Sequence, residues 1–129
     1  MEKKWSKFWK SSSQRRKQRK YVHNAPLHIK RNMLSAHLSD ELSKQYGVRN
    51  LRLRKGDTVK ILRGDSKGKS GKVSKVSISR MRVYVEDAGV LRADGTKSLY
   101  PIHASNLMIT KLSLSDAKRV EKIDKVKRN

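Results

Sequence analysis

The chain carries a large surplus of positive charge. Its 129 residues include 33 Lys and Arg but only 11 Asp and Glu, which gives a formal net charge of +22 at pH 7. In a compact domain, so much charge of one sign is self-repulsive and opposes folding. A polyanion would relieve the repulsion, and nucleic acid is the commonest polyanion in a cell. The charge therefore predicts a nucleic-acid partner.

The remaining composition narrows the class of protein further. Apolar residues make up 35% and charged residues 34% of the chain, against about 45–50% and about 25% in average globular proteins. We expect one small core, with extensions that stay loose until a partner binds them. The chain has no cysteine, which excludes a disulfide framework, a thiolate metal site and a cysteine nucleophile.

Several other functions are not supported by the sequence. No apolar run approaches the roughly 18 residues that cross a bilayer, and no apolar segment of a secretory signal follows the basic N-terminus. The four histidines lack the spacing of metal ligands. No pair of carboxylates is placed for acid–base catalysis, and no serine lies in a nucleophile elbow. These residues therefore indicate neither a catalytic site nor a metal site, and the lack of cysteine fits a reducing cytoplasm.

Charge and apolar patterning predict four segments. Residues 1–32, with eleven basic residues and one acidic residue, predict a basic N-terminal arm of a kind frequent in nucleic-acid-binding proteins. Residues 33–50 predict a short helix, placed at 39–46, and a linker. Residues 51–111 predict a small barrel, and residues 112–129 a short C-terminal helix and a basic tail.

The beginning of the arm leaves alternatives open. Trp5, Phe8 and Trp9 are spaced to share one face of a helix among lysines. Such a helix could lie on an anionic membrane surface or insert its aromatic rings between RNA bases. A disordered end is equally compatible with the sequence, and residues 1–32 also have the composition of an organelle transit peptide.

Residues 51–110 read as β-strands. Short alternating stretches with glycine turns indicate a closed or half-closed barrel. Val73 differs in parity from Val76 and Ile78, so one regular strand cannot direct all three side chains inward. We therefore predict a β-bulge or strong bend near Ser74. Asp94-Gly95 predicts a hairpin turn.

The most specific local feature is a glycine-rich loop at residues 63–73. It contains three glycines and three lysines, at Gly64, Lys67, Gly68, Lys69, Gly71 and Lys72. Backbone N–H groups beside cationic side chains can bind an anion, although tight turns alone could explain the glycines. Only three residues separate the first two glycines, where a nucleotide-binding P-loop has four, and no βαβ unit follows.

With its flanks at residues 55–61 and 71–73, this loop resembles a KOW motif. Such motifs belong to SH3-like barrels in ribosomal proteins and transcription elongation factors. The segments at residues 24–31, 38–49, 94–96 and 100–103 are similar to the universal large-subunit ribosomal protein family numbered twenty-four. The arm resembles its archaeal and eukaryotic branch, and the uninterrupted loop looks more archaeal. His37 and Ala104 replace a usual proline, and Ser66 replaces a usual aromatic residue.

This resemblance covers roughly residues 14–122 and implies both a fold and a function. The fold would be mainly β, an SH3-like barrel with a short helix before it, a basic arm and a C-terminal helix or tail. The protein would be a structural constituent of the large ribosomal subunit. It would bind large-subunit rRNA near the peptide tunnel exit, contact neighbouring large-subunit proteins and aid subunit assembly. No enzyme activity, cofactor, membrane span or small-molecule substrate is implied.

The charge pattern and the loop together predict the RNA-binding residues. We expect the loop cations to hold phosphates, the cations of the barrel to extend that surface, and the arm to thread between rRNA helices. Two histidines could stack on nucleotides. The predicted set is Arg15, Arg16, Lys17, Arg19, Lys20, His28, Lys30, Arg31, Arg52, Arg54, Lys55, Arg63, Lys67, Lys69, Lys72, Lys75, Arg80, Arg82 and His103, with the loop glycines Gly64, Gly68 and Gly71. The alternative function is a KOW-type transcription or RNA-processing factor.

Overall fold

Helix exceeds strand in this protein. The computed structural model describes residues 4–128, and about 35% of them are helical and 28% lie in strands. The first three residues of the predicted arm and the last residue of the predicted tail lie outside the described residues. The prediction of a mainly β fold is wrong, because the arm and the C-terminal segment are largely helical. The helices are α1 (Arg15–Asn24), α2 (Leu27–Met33), α3 (Asp40–Tyr46) and α4 (Ala117–Arg128), and 3-10 turns form at Lys7–Ser11 and Ala104–Asn106.

Six of the eight described strands form one mixed sheet. The strands are β1 (Ser35–Leu38), β2 (Asn50–Arg52), β3 (Thr58–Ile61), β4 (Ser70–Ser77), β5 (Arg82–Val85), β6 (Gly89–Leu91), β7 (Lys97–Leu99) and β8 (Leu107–Lys111). The sheet order is β2-β1-β8-β3-β4-β5. β1 runs parallel to β8, the other neighbours are antiparallel, and β6 and β7 form a separate hairpin.

The strand β1 lies in the segment predicted as helix and linker, and β2 crosses from that segment into the predicted barrel. β1 alternates half-buried and buried residues, with Ala36 and Leu38 in the core. At four and three residues, β1 and β2 are too short to show a clear alternation in the sequence. The helix between them is observed at Asp40–Tyr46, within one residue of its predicted start, and ends before Gly47.

The core lies under the central strands. Val59, Ile61, Val83, Val85 and Ile109 are all at most 1% exposed. The predicted bulge is confirmed, because Val73 pairs with Val85 but Lys75 pairs with Tyr84, which leaves Ser74 as the extra residue. The predicted hairpin turn at Asp94-Gly95 is also confirmed, between β6 and β7.

The arm is folded in the structure, where the sequence predicts a loose segment. Trp5 stacks on Tyr21 with ring centroids 5.5 Å apart and donates from Nε1 to the Tyr21 carbonyl at 3.1 Å. The Gln18 amide donates to the carbonyls of Trp9, Lys10 and Ser12. These contacts fold residues 4–12 back onto α1, so the aromatic residues do not form the predicted amphipathic helix.

Candidate nucleic-acid interface

Most of the predicted RNA-binding side chains are available to a partner. Of the nineteen, sixteen are exposed, and only Lys30, Arg82 and His103 are half-buried. The structure brings many of them together around two grooves and one loop. The rest lie separately: Arg15, Arg16, Lys17 and Lys20 on α1, His28 on α2, and Lys72 and Lys75 on β4.

The larger groove lies between the arm and the turn that joins β4 to β5. We call it the arm groove; its volume is about 840 Å³. Its cations and histidines come from both parts of the chain, and no Asp or Glu of residues 4–128 lines it. The lining residues are Gln18, Arg19, Val22, His23, Lys30, Ser79, Arg80, Met81, Arg82 and His103.

Two features hold the arm groove together. The Lys30 ammonium donates to the Ser79 carbonyl at 3.2 Å, which joins α2 to the β4–β5 turn. Met81 is buried and has a φ of +56°, a left-handed conformation that is unfavourable for a side chain of this size. The buried Met81 side chain therefore fixes a turn that exposes Arg80.

The second groove, which we call the basic cleft, has a volume of about 500 Å³. It brings Arg31 of the arm beside three cations of the body, Arg52, Arg54 and Lys55. Two of these cations already have partners within the protein. Arg54 forms an ion pair with Asp116 at 2.5 Å, and Arg52 donates to the Asn32 side chain. The basic cleft is less cationic toward a partner than the arm groove, because Asp116 lines it and no carboxylate of the described residues lines the arm groove.

In the glycine-rich loop, the cationic side chains are more available to bind an anion than the backbone N–H groups are. The amides of Lys67, Gly68 and Lys69 already donate to the carbonyls of Gly64, Ile61 and Ser66. Those three N–H groups are not free to bind an anion, whereas the loop cations Arg63, Lys67 and Lys69 are exposed. Gly71 serves a different purpose, because a Cβ there would lie 2.8 Å from the Asp87 carboxylate and 3.0 Å from a Val85 methyl.

His103 connects the loop to the arm groove. It lines the arm groove on one side and, with Arg63 and Ser66, a cavity of about 320 Å³ on the other. Its Nδ1 accepts from the Ser105 amide at 3.2 Å. Because an amide can only donate, the neutral ring carries its proton on Nε2 and keeps that donor for a partner.

A buried ion pair that the sequence does not predict supports the basic cleft. Arg119 of α4 donates to both oxygens of Asp57, at 2.6 and 2.8 Å, and both residues are buried. Arg119 also donates to the Arg52 carbonyl, and Asp57 accepts from the Arg54 amide. The pair thus fixes the backbone from which two of the cleft's cations project.

Sequence reasoning misses both this pair and part of the arm groove. Asp57 follows Lys55-Gly56 and reads as a turn residue, and its partner lies 62 residues further along the chain. Val22 and His23 show no local pattern, because only the position of α1 against the β4–β5 turn places them in the groove. The buried pair and these two groove residues can be identified only from the three-dimensional fold.

Asp94, in the turn of the β6–β7 hairpin, has a carboxyl pKa below its ordinary value. The Thr96 hydroxyl donates to the Asp94 carboxylate at 2.7 Å, and the Thr96 amide donates to the same oxygen at 3.0 Å. Since both bonds favour the charged form, the hydroxyl most, they lower the pKa of Asp94 below its ordinary value.

Two further features of residues 4–128 bear on other functions. No group of three or more His, Asp or Glu side chains is placed there to hold a metal ion. Within the same residues, no helix is both long and apolar enough to span a bilayer.

Fold and site together define a class of protein: a small, strongly basic α/β protein whose exposed cations come from an arm and from a mixed sheet. The family model that describes the eukaryotic ribosomal proteins L26 and their archaeal counterparts matches residues 12–126. The large ribosomal subunit protein uL24 of Methanocella arvoryzae is 52% identical over 115 residues, which cover 89% of this chain and 93% of that protein. The chain therefore belongs to this archaeal and eukaryotic family of ribosomal proteins, as the sequence motifs predict.

Proposed function

We propose that this protein is a structural constituent of the large ribosomal subunit and binds large-subunit rRNA. The observation that carries the proposal is the 52% identity to a protein named for that subunit, over nearly the whole of both chains. The net charge of +22 supports it, because repulsion within so basic a protein is relieved when a polyanion binds. Its cellular place would be the ribosome in the cytoplasm, with neighbouring large-subunit proteins as further partners.

The cations would act mainly on phosphates. The arm groove, the basic cleft and the loop present guanidinium and ammonium groups that fit phosphate oxygens. Phosphate contacts position a protein but carry little sequence information, so the shape of the folded RNA would be the main feature recognised. The resemblance of the motifs further supports a place near the peptide tunnel exit and a contribution to subunit assembly.

The strand arrangement supports an SH3-like barrel within residues 51–111. Val83 of β5 exchanges two backbone hydrogen bonds with Ile102, of 2.8 and 2.9 Å. Ile102 lies only five residues before β8, at the other side of the β8-β3-β4-β5 array. This bridge brings the last strand of the array back toward the first, as closure of a small barrel requires. The division into arm, linker, barrel and tail is part of the same proposal.

The salt dependence of rRNA binding tests the proposal. If about ten phosphates are neutralised, log K for large-subunit rRNA should fall with log salt at a slope of roughly −7 to −9. Arg80→Gln should reduce the magnitude of the slope by about one phosphate's share, roughly 0.7–0.9. Arg92→Gln removes the same charge from the β6–β7 hairpin, outside all three cationic surfaces, and should leave the slope unchanged. A slope near zero for the unaltered protein would contradict RNA binding through these cations.

Sedimentation separates the proposed role from that of a KOW-type transcription or RNA-processing factor. A structural constituent should remain with large subunits through a moderate salt wash, because many phosphate contacts must break together for it to leave. A factor that exchanges between partners should appear in the supernatant. Recovery of the protein mainly in the supernatant would favour the alternative function.

A further inference from the structure

The arm groove has the size and lining of a site for one nucleotide. Its volume of about 840 Å³ lies within the range of about 300–1,000 Å³ found for small-molecule pockets, and an RNA duplex is far too wide to enter it. Its position between α1, α2 and the β4–β5 turn leaves it open to a strand passing over the surface. A single residue that leaves the RNA stack would fit.

The groove also offers an apolar surface for a base. Val22 keeps 41% of its surface exposed, although it lies on a helix otherwise rich in Arg and Lys. With Met81, it gives the groove apolar atoms among its charges. Apolar atoms do not stabilise a charged phosphate. A base that has left its stack, by contrast, is stabilised by apolar or planar groups that replace the neighbouring bases.

The polar groups of the groove complement the rest of a nucleotide. The Nε2–H of His103 is left free by the bond that Nδ1 makes, and bases and 2′-hydroxyls offer acceptors for it. Arg19 and Arg80 are exposed and can bind the phosphates on either side of the base. Because no carboxylate of the described chain lines the groove, an anionic strand meets no like charge there.

We propose that the arm groove takes one unstacked nucleotide of the RNA, with its base against Val22, Met81 and His103 and its phosphates on Arg19 and Arg80. This inference rests on the proposed function, because it requires the RNA to be a partner. It adds that the arm and the body together recognise one unstacked nucleotide, whereas phosphate contacts alone would recognise only the shape and charge of the RNA.

A pair of valines tests the proposal with the full chain and large-subunit rRNA. Val22 of α1 and Val126 of α4 are 41% and 42% exposed, and both lie on basic helices. Val22→Ser should weaken binding about three- to tenfold through lost apolar contact with the base, with the salt slope unchanged because no phosphate contact is lost. Val126→Ser should change binding less than about twofold, since its side chain lies outside the arm groove. Equal affinities of the two variants, at equal helix content by circular dichroism, would overturn the proposal.

Photochemical crosslinking of the complex gives an independent measurement. Ultraviolet light joins a base only to a side chain that touches it, so a nucleotide adduct is expected on the peptides that contain Val22, Met81 or His103. Adducts confined to other peptides, with rRNA binding intact, would overturn the nucleotide site and leave the proposed function standing. Absence of any binding to large-subunit rRNA would instead overturn the proposed function, and the nucleotide site with it.

Discussion

At the scale of single residues, the buried Asp57–Arg119 pair joins α4 to the residue that precedes β3. The carboxylate accepts from the Arg119 guanidinium at both oxygens and from the amides of Arg54 and Ser113. Among the described residues, no buried side-chain nitrogen or oxygen lacks a hydrogen-bond partner. Two charges removed from water are tolerated only with this degree of satisfaction, so loss of either partner should be costly.

Replacement of the acid tests this. Asp57→Ala should lower the free energy of unfolding by about 3–5 kcal/mol, because it leaves the Arg119 guanidinium buried and without its counter-ion. Urea denaturation followed by circular dichroism measures the change. Asp65→Ala removes an exposed acid of the glycine-rich loop and should shift the value by at most about 0.5 kcal/mol. A loss below about 1 kcal/mol for Asp57→Ala would show that the pair is not a structural requirement.

Asp94 provides a prediction about pH. Its carboxyl pKa is lowered first by the Thr96 hydroxyl and then by the Thr96 amide. A lowered folded-state pKa contributes stability that is present above the unfolded pKa and is lost as pH falls through the folded pKa. Thr96→Val should therefore raise the pKa of Asp94 toward its ordinary value in an NMR titration, while Thr96→Ser should keep it low. Equal pKa values in both variants would assign the effect to the amide alone.

The sequence identifies exposed candidate binding residues more readily than it identifies residues that stabilise the fold. Exposed Lys and Arg can be recognised from composition, because a body with this net charge must place them at its surface. The Asp57–Arg119 pair cannot be recognised in this way. In the sequence, a buried Asp or Arg looks the same as an exposed one, and only the tertiary contact distinguishes them. The same holds for Val22, an apolar residue on a charged helix whose role depends on what lies opposite.

At the scale of elements, the β6–β7 hairpin depends on one close approach between backbones. A Cβ added at Gly89 would lie 2.5 Å from the carbonyl oxygen of Ser98, which is held in the opposite strand by the pairing of the hairpin. A Cβ at Gly71 would instead meet the Asp87 carboxylate and a Val85 methyl. The Ser98 backbone cannot move aside without breaking the pairing of the hairpin, whereas the exposed Asp87 side chain, the nearer of the two at Gly71, can rotate.

We therefore expect Gly89→Ala to disrupt the hairpin more than Gly71→Ala disrupts the junction of β3 and β4. Amide hydrogen exchange should accelerate in the first variant at Arg92 and Tyr100, whose N–H groups donate across the hairpin to the carbonyls of Thr96 and Ala88. In the second, amides of β4 should change little. Equal protection of the hairpin in Gly89→Ala and the unaltered protein would show that the two strands can separate enough to admit a methyl group.

Elements differ in how far the sequence predicts them. The bulge at Ser74 follows from the parity of three apolar residues, and helix α3 from its apolar spacing and flanking residues; the structure has both. The helices of the arm do not follow from a pattern, because α1 has hardly any apolar residues. Tyr21 stacks on Trp5, and the Gln18 amide donates to carbonyls of the preceding segment, so α1 is held against residues 4–12. These are specific hydrogen bonds and ring stacking that composition does not reveal.

At the scale of the whole molecule, charge and fold act against each other. A net charge of +22 is distributed over a protein whose buried hydrophobic core is confined to the sheet and a few flanking residues. Small cores leave little stability to offset self-repulsion. We infer that the isolated protein is marginally stable and that counter-ions contribute to its folding.

Thermal unfolding at different salt concentrations tests this inference. Raising NaCl from about 0.02 M to about 0.5 M shortens the screening length several-fold and should increase the Tm by several degrees, since repulsion between like charges weakens. An RNA polyanion should produce the same increase at much lower ionic strength. A Tm that falls or stays constant with salt would mean that ion pairs, such as Arg54–Asp116, outweigh the repulsion.

The separation of Asp57 from Arg119 also has a consequence for synthesis of the chain. Arg119 is made 62 residues after its partner, so the sheet must wait for α4 before its buried acid is neutralised. Nascent chains interrupted in that interval would hold an unmatched charge at their centre and be prone to proteolysis.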